Sequence, residues 1–104
     1  MEYCIPMTIY CFDLDNTLCV SESDDYEKST PIVERIMSVN SLFHSGNHII
    51  ISTARGSLSG LDLSHFTKRQ LKEWGVNYHE LWFQKPYADF YIDDKAINDK
   101  DFQW

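Results

Sequence analysis

Positive charge is scarce in this chain: nine Lys and Arg stand against 16 Asp and Glu, a net charge of −7. A surface of that sign repels nucleic-acid backbones and anionic membranes, so neither is an expected partner. Cysteine is scarce as well. Cys4, Cys11 and Cys19 are odd in number, form no CxxC pair, and read as reduced thiols with Cys11 in the core. The four histidines are not spaced as partner pairs, which removes the usual second half of a zinc site. Long hydrophobic runs are missing too, and no apolar stretch approaches the roughly 20 residues that span a bilayer. The opening MEYCIPMT has no basic region followed by an apolar one, so it does not read as a secretion signal. A cytoplasmic location is the expectation that follows.

What is present is globular in kind. The 104 residues are 43% hydrophobic and include six Phe, six Tyr and three Trp, which fits a single domain over residues 1–104. Short apolar runs alternate with helical stretches, without repeats or low-complexity segments. TIYCF (8–12) is rich in β-branched and aromatic residues and reads as a buried strand. SESDDYEKST (21–30) has loop or hairpin composition. Thr30-Pro31 reads as an N-cap and first helical residue, with Ile32, Val33, Ile36, Met37, Leu42 and Phe43 at helical spacing and Gly46 as the stop.

HIIIST (48–53) is a second buried strand. Ser64 can cap a second helix, buried along Phe66, Gln70 or Leu71, and Trp74, and ending at Gly75. ELWF (80–83) and DFYI (89–92) complete the set of strands. Strands alternating with helices predict a parallel α/β sheet covered on both faces, with ligands beyond the carboxyl ends of the strands.

The polar residues fall where that rule makes them matter. The first strand ends in Asp13 and Asp15, the second in Ser52-Thr53-Ala54-Arg55, the third leads to Lys85-Pro86, and the fourth to Asp93-Asp94. Each alone has an ordinary structural explanation, as a turn former, a cap or a solvated charge. Together they place four carboxylates, hydroxyls and two basic groups on one edge. Clustered carboxylates repel unless a cation compensates them, and oxygen donors without His or Cys suit Mg²⁺. Such a site with Lys, Arg and a hydroxyl suits a phosphoryl group. Phosphoryl transfer, to water by preference, is the reaction class these parts predict.

The motifs DLDNT (13–17), STAR (52–55), KP (85–86) and DDKAIND (93–99), in this order at strand ends, resemble those of the haloacid dehalogenase (HAD) superfamily of phosphohydrolases. The likeness covers residues 8 to 100. Within the superfamily the chain is similar to small phosphatases of capsular polysaccharide biosynthesis. The resemblance implies a three-layer Rossmann-like, HAD-like fold and a Mg²⁺-dependent phosphomonoesterase acting through an aspartyl-phosphate. Asp13 would be the nucleophile and Asp15 the general acid and then base. Thr53 and Lys85 would bind the phosphoryl group, with Ser52 the competing hydroxyl. Mg²⁺ would be held by Asp13, the Asp15 backbone carbonyl and the pair Asp93 and Asp94, with Asp94 favoured for direct contact and Asp99 behind them. Arg55 would touch phosphate or substrate, or else form a surface ion pair.

Residues 18–30 and 56–63 are too short for a folded cap, which the family's enzymes on small metabolites often carry. The implied substrate is a small phosphorylated metabolite, foremost a sugar phosphate. A homo-oligomer that closes the open site is a further expectation, with Trp82, Phe83, Tyr87, Phe102 or Trp104 as interface candidates. Three readings compete: a phosphatase on a macromolecule, a signalling receiver domain, and an inactive binding domain. Receiver domains carry their acidic pair on the first strand, and here it ends the fourth.

Overall fold

The computed structural model describes residues 8–22, 25–56, 60, 62–83, 89–92, 102 and 104. Its elements in chain order are β1 (Ile9–Asp13), β2 (Cys19–Val20), a 3₁₀ turn (Tyr26–Lys28), β3 (Thr30–Pro31), α1 (Val33–His44), β4 (His48–Ser52), α2 (Ser64–Glu73), β5 (Glu80–Trp82) and β6 (Phe90–Ile92). Four strands form one sheet in the order β5-β4-β1-β6, and every pairing in it is parallel. β1 is therefore central, as its run of apolar residues requires: Cys11 and Phe12 are buried, and along the ladder they pair with Ile50 and Ile51 on one side and with Tyr91 and Ile92 on the other.

The sequence predicts helices on both faces of this sheet, and the described residues place them on one. Phe12, Ile49 and Ile51 share a single core with Ile36 and Val39 of α1 and Leu71 of α2. Both crossovers step the same way, β1 to β4 and β4 to β5, and right-handed crossovers in one direction lay their helices on one face. The other face carries a smaller cluster, Cys11 and Ile50 packed with Ile9 and Trp82. The link from β5 to β6, Phe83 to Asp89, is shorter than the roughly ten residues a helical crossover takes.

Two helix boundaries also differ from the sequence reading. Thr30 and Pro31 do not open α1; they pair antiparallel with Val20 and Cys19 as β3. Proline lacks the N–H a central strand needs, but a two-stranded edge tolerates it. The Ile32 N–H then donates to the Leu18 carbonyl, and α1 starts at Val33. In α2 Ser64 is the first helical residue rather than its cap, and Asp62 accepts its backbone N–H at 3.0 Å. Both stops are as read. Gly46 and Gly75 sit at φ 95° and 71°, and each closes its helix with a paired turn. The Gly46 and Asn47 N–H groups reach the Phe43 and Leu42 carbonyls, and those of Gly75 and Val76 reach Lys72 and Leu71.

Burial along α1 is narrower than its periodicity suggested. Val39 is in the core, whereas Val33 and Met37 lie 60% and 63% exposed. Phe102 and Trp104 pack, partly buried, against the core: their rings lie 5.8 and 5.6 Å from that of Phe12. Trp82 packs beneath the second face, Phe83 is 38% exposed, and Tyr87 lies outside the described residues. Among the described residues no helix is long and apolar enough to cross a membrane. Chemical denaturation checks the facing of α1: Ile36→Ala should cost about 2–5 kcal/mol, and Met37→Ala should stay within about 0.5 kcal/mol of wild type.

Candidate functional site

The parallel register brings the first two motifs to a common level. Asp13, the last residue of β1, pairs with Ser52, the last of β4, and the Leu14 N–H donates to the Ser52 carbonyl at 3.1 Å. Phe12 and Leu14 both sink fully into the same core cluster, so β-type alternation runs past the strand end. Asp13 and Asp15 occupy the opposite parity. The chain then turns sharply. Thr17, Leu18 and Cys19 all direct their N–H groups at the Leu14 carbonyl, and Asn16 adopts φ 63°. Asparagine is among the few side-chain-bearing residues that visit this region readily. Its Oδ1 accepts the Ser21 N–H at 3.1 Å, fixing the first residue after β2 beside Asp15.

Asp15 is the hub of the site. Arg55 reaches it with two nitrogens: Nη2 donates to Oδ1 at 2.8 Å and Nε to Oδ2 at 3.0 Å. Ser21 Oγ donates to Oδ1 at 2.7 Å, Thr53 Oγ1 to Oδ2 at 3.3 Å, and the Cys19 thiol lies 3.6 Å from Oδ1. Burial alone would push the Asp15 carboxyl up, but hydrogen bonds from Arg55 and Ser21 and the Arg55 charge outweigh it and hold it below its ordinary value. The Cys19 thiol goes the other way, raised chiefly by burial, which disfavours its thiolate.

Arg55 is not a surface cation. Its side chain is fully buried, and Asp15's is 20% exposed. Beyond Asp15, its Nη1 donates to Gln70 Oε1 at 2.7 Å and Thr67 Oγ1 at 3.3 Å, both on α2. The guanidinium lies 4.5 Å from the centre of the Tyr26 ring, and Gln70 Nε2 donates to the Tyr26 carbonyl at 2.7 Å. The β2–β3 hairpin is thus fastened to α2 through the same group that holds Asp15. The hairpin is closed by Ser21 and Ser29, whose hydroxyls lie 2.6 Å apart.

Of the residues named from sequence, Asp13, Asp15, Ser52, Thr53 and Arg55 are brought together at the carboxyl edge of β1 and β4. Lys85, Asp93, Asp94 and Asp99 lie outside the described residues. Ile92, the residue before Asp93, pairs with Phe12, the residue before Asp13. Thr53 is 4% exposed, and its hydroxyl both accepts the Arg55 N–H and donates to Asp15; Ser52 occupies the last pair of the ladder. Gln70, Thr67, Ser21 and Tyr26 were not singled out as site residues. Gln70 did carry a signal, as a polar residue in the buried stripe of an amphipathic helix. Thr17 is fully buried, and among the described residues its Oγ1 has no hydrogen-bond partner.

Among the described residues no group of three or more His, Cys, Asp and Glu side chains is arranged to hold a metal ion. The donors at the strand ends are oxygens. The Asp15 carboxylate is taken by a guanidinium, and its backbone carbonyl and the Asp13 carboxylate are further oxygen donors at this edge. That chemistry fits a hard cation such as Mg²⁺.

No protein-family model and no curated protein matches the chain. Two solved structures resemble it. An MCSG target from Vibrio cholerae has a TM-score of 0.72 at 28% identity, the match covering 90% of this chain and 85% of that one. A chain of a Pnkp1/Rnl/Hen1 complex has a TM-score of 0.61 at 18% identity, over 95% of this chain and 34% of that one. At that identity the second likeness speaks to the fold alone. The class these findings define is a small α/β domain with a parallel sheet.

Because the folded chain holds Asp15 below the ordinary 3.8, the unfolded chain takes up that proton first as pH falls. The stability it supplies is complete above the ordinary value and is lost as pH falls through it towards the lower folded value. In urea titrations at pH 7 and pH 3, Asp15→Asn should lose less stability on acidification than wild type. At pH 7 the same variant should be destabilised by on the order of 3 kcal/mol, because the buried guanidinium loses its counter-charge.

Proposed function

We propose that this chain is a Mg²⁺-dependent phosphomonoester hydrolase of the HAD type, acting through an aspartyl-phosphate on a small phosphorylated metabolite. A sugar phosphate of surface-polysaccharide synthesis is the favoured substrate. The observation that carries the reading is the second aspartate of DLDNT, held by Arg55, Thr53 and Ser21 two residues beyond the strand end that presents the first.

In this reading an Asp13 oxygen attacks phosphorus, the ester P–O bond breaks, and Asp15, having taken up a proton as the substrate's negative charge enters the site, passes it to the leaving oxygen. Water then attacks the phosphorus of the acyl phosphate while Asp15 accepts its proton, releasing phosphate and restoring Asp13. The anionic form that Arg55 favours is the one able to act as base in this second half. Thr53, whose hydroxyl has a single proton, would turn it from Asp15 to a phosphoryl oxygen. Lys85 would neutralise phosphoryl charge. Asp13, the Asp15 carbonyl, Asp93 and Asp94 would hold Mg²⁺, which when bound supplies charge neutralisation on the phosphoryl oxygens. Residues 18–30 and 56–63 are too short for a folded cap, so closure by a second copy of the chain belongs to the proposal. An open site would also admit a phosphoprotein.

The deciding experiment is a screen of phosphorylated metabolites, sugar phosphates foremost, with Mg²⁺ present. Turnover of one of them should fall to background in Asp13→Asn, with the circular dichroism spectrum unchanged, and should vanish with EDTA and return with added Mg²⁺. Wild-type-like turnover in Asp13→Asn, or indifference to chelation, contradicts the mechanism.

A further inference from the structure

We infer that Arg55 is not a phosphate ligand but a positioning residue for Asp15, and that Gln70 on α2 sets its place. The inference rests on the hydrolase reading above and deepens it. A guanidinium has five N–H donors in a rigid fork. Here Nε and one Nη2 donor are spent on Asp15, and Nη1 is spent on Gln70 Oε1 and Thr67 Oγ1. The flat face is covered by Tyr26 at 4.5 Å, with the Phe66 ring at 5.9 Å. Four of the five donors are thus engaged within the protein, and only 3% of the residue is exposed.

Gln70 completes the device from the other side. It accepts from Arg55 and donates to the Tyr26 carbonyl, so one amide fixes both the clamp and the hairpin beside it. Rotating Asp15 away from this setting breaks the two-pronged bond and strands a buried cation. The carboxylate is thereby held in one orientation relative to the strand end, as proton transfer to a departing oxygen demands.

Leaving-group dependence separates this role from phosphate binding. p-Nitrophenolate departs from phosphorus without needing a proton, whereas an alkoxide needs the one Asp15 gives. Arg55→Lys, which keeps charge but loses the fork, and Gln70→Met, which keeps volume, are compared with wild type on p-nitrophenyl phosphate and on an alkyl phosphate such as a sugar phosphate. For both variants kcat/KM on the alkyl ester should fall further than on the aryl ester. The gap should be about tenfold or more for Arg55→Lys, a part of the 10²–10⁴ that general acid catalysis supplies, and smaller for Gln70→Met.

Equal losses on both esters in both folded variants, or a matching rise in the inhibition constant for inorganic phosphate, would make Arg55 a phosphate ligand or a purely structural group and overturn the inference. Failure of the wild type to hydrolyse either ester overturns the hydrolase reading itself, and this assignment with it.

Discussion

A buried guanidinium must find counter-charge and hydrogen-bond acceptors wherever the fold puts it, and Arg55 finds them in three separate parts of the chain. Asp15 comes from the turn after β1, Gln70 and Thr67 from α2, and the Tyr26 ring from the hairpin. A buried ion pair contributes little net stability compared with apolar residues of the same volume, since desolvation offsets most of the attraction. Its value is in exclusion. Any packing of α2 or the hairpin that fails to deliver these acceptors leaves a cation uncompensated, so the pair selects one arrangement among those the apolar core would accept.

That constraint explains why the edge of the sheet is so closely ordered. Asn16 in its left-handed conformation turns the chain; its side chain fixes Ser21; Ser21 reaches Asp15 and meets Ser29 across the hairpin. Each of these bonds is local and weak, about 1 kcal/mol net, yet all converge on one carboxylate. A site on loops gains the precision of a site on strands when its loops are tied to a buried charge.

Strand runs such as TIYCF and HIIIST were legible because continuous apolar segments with β-branched residues have few uses besides a buried strand. The glycine stops were legible for a similar reason, as the paired turns at Gly46 and Gly75 need a positive φ. Helix starts were harder: Thr30-Pro31 is a sound cap signal, but its extended backbone serves equally well as a strand edge, and only pairing with Cys19 and Val20 decides. Val33 and Met37 match the helical period as well as Val39 does, and the sheet's position selects among them. In the site, Asp13, Asp15, Thr53 and Arg55 announced themselves by where strands end. The direction in which Arg55 points did not, because it depends on α2, whose Gln70 and Thr67 are 12 or more residues away in sequence.

The central place of β1 has a consequence for how the chain reaches this state. One side of the strand pairs with β4, some 40 residues on, and the other with β6, where Cys11 meets Tyr91. Such pairing is about as non-local as a chain of this length allows, and closing a loop of that size precedes the contacts that reward it. On a ribosome, β1 would wait with one edge unpaired until the residues of β6, 80 positions further on (Cys11↔Tyr91), had been made. The strand that presents Asp13 is therefore made well before the partner that completes its enclosure.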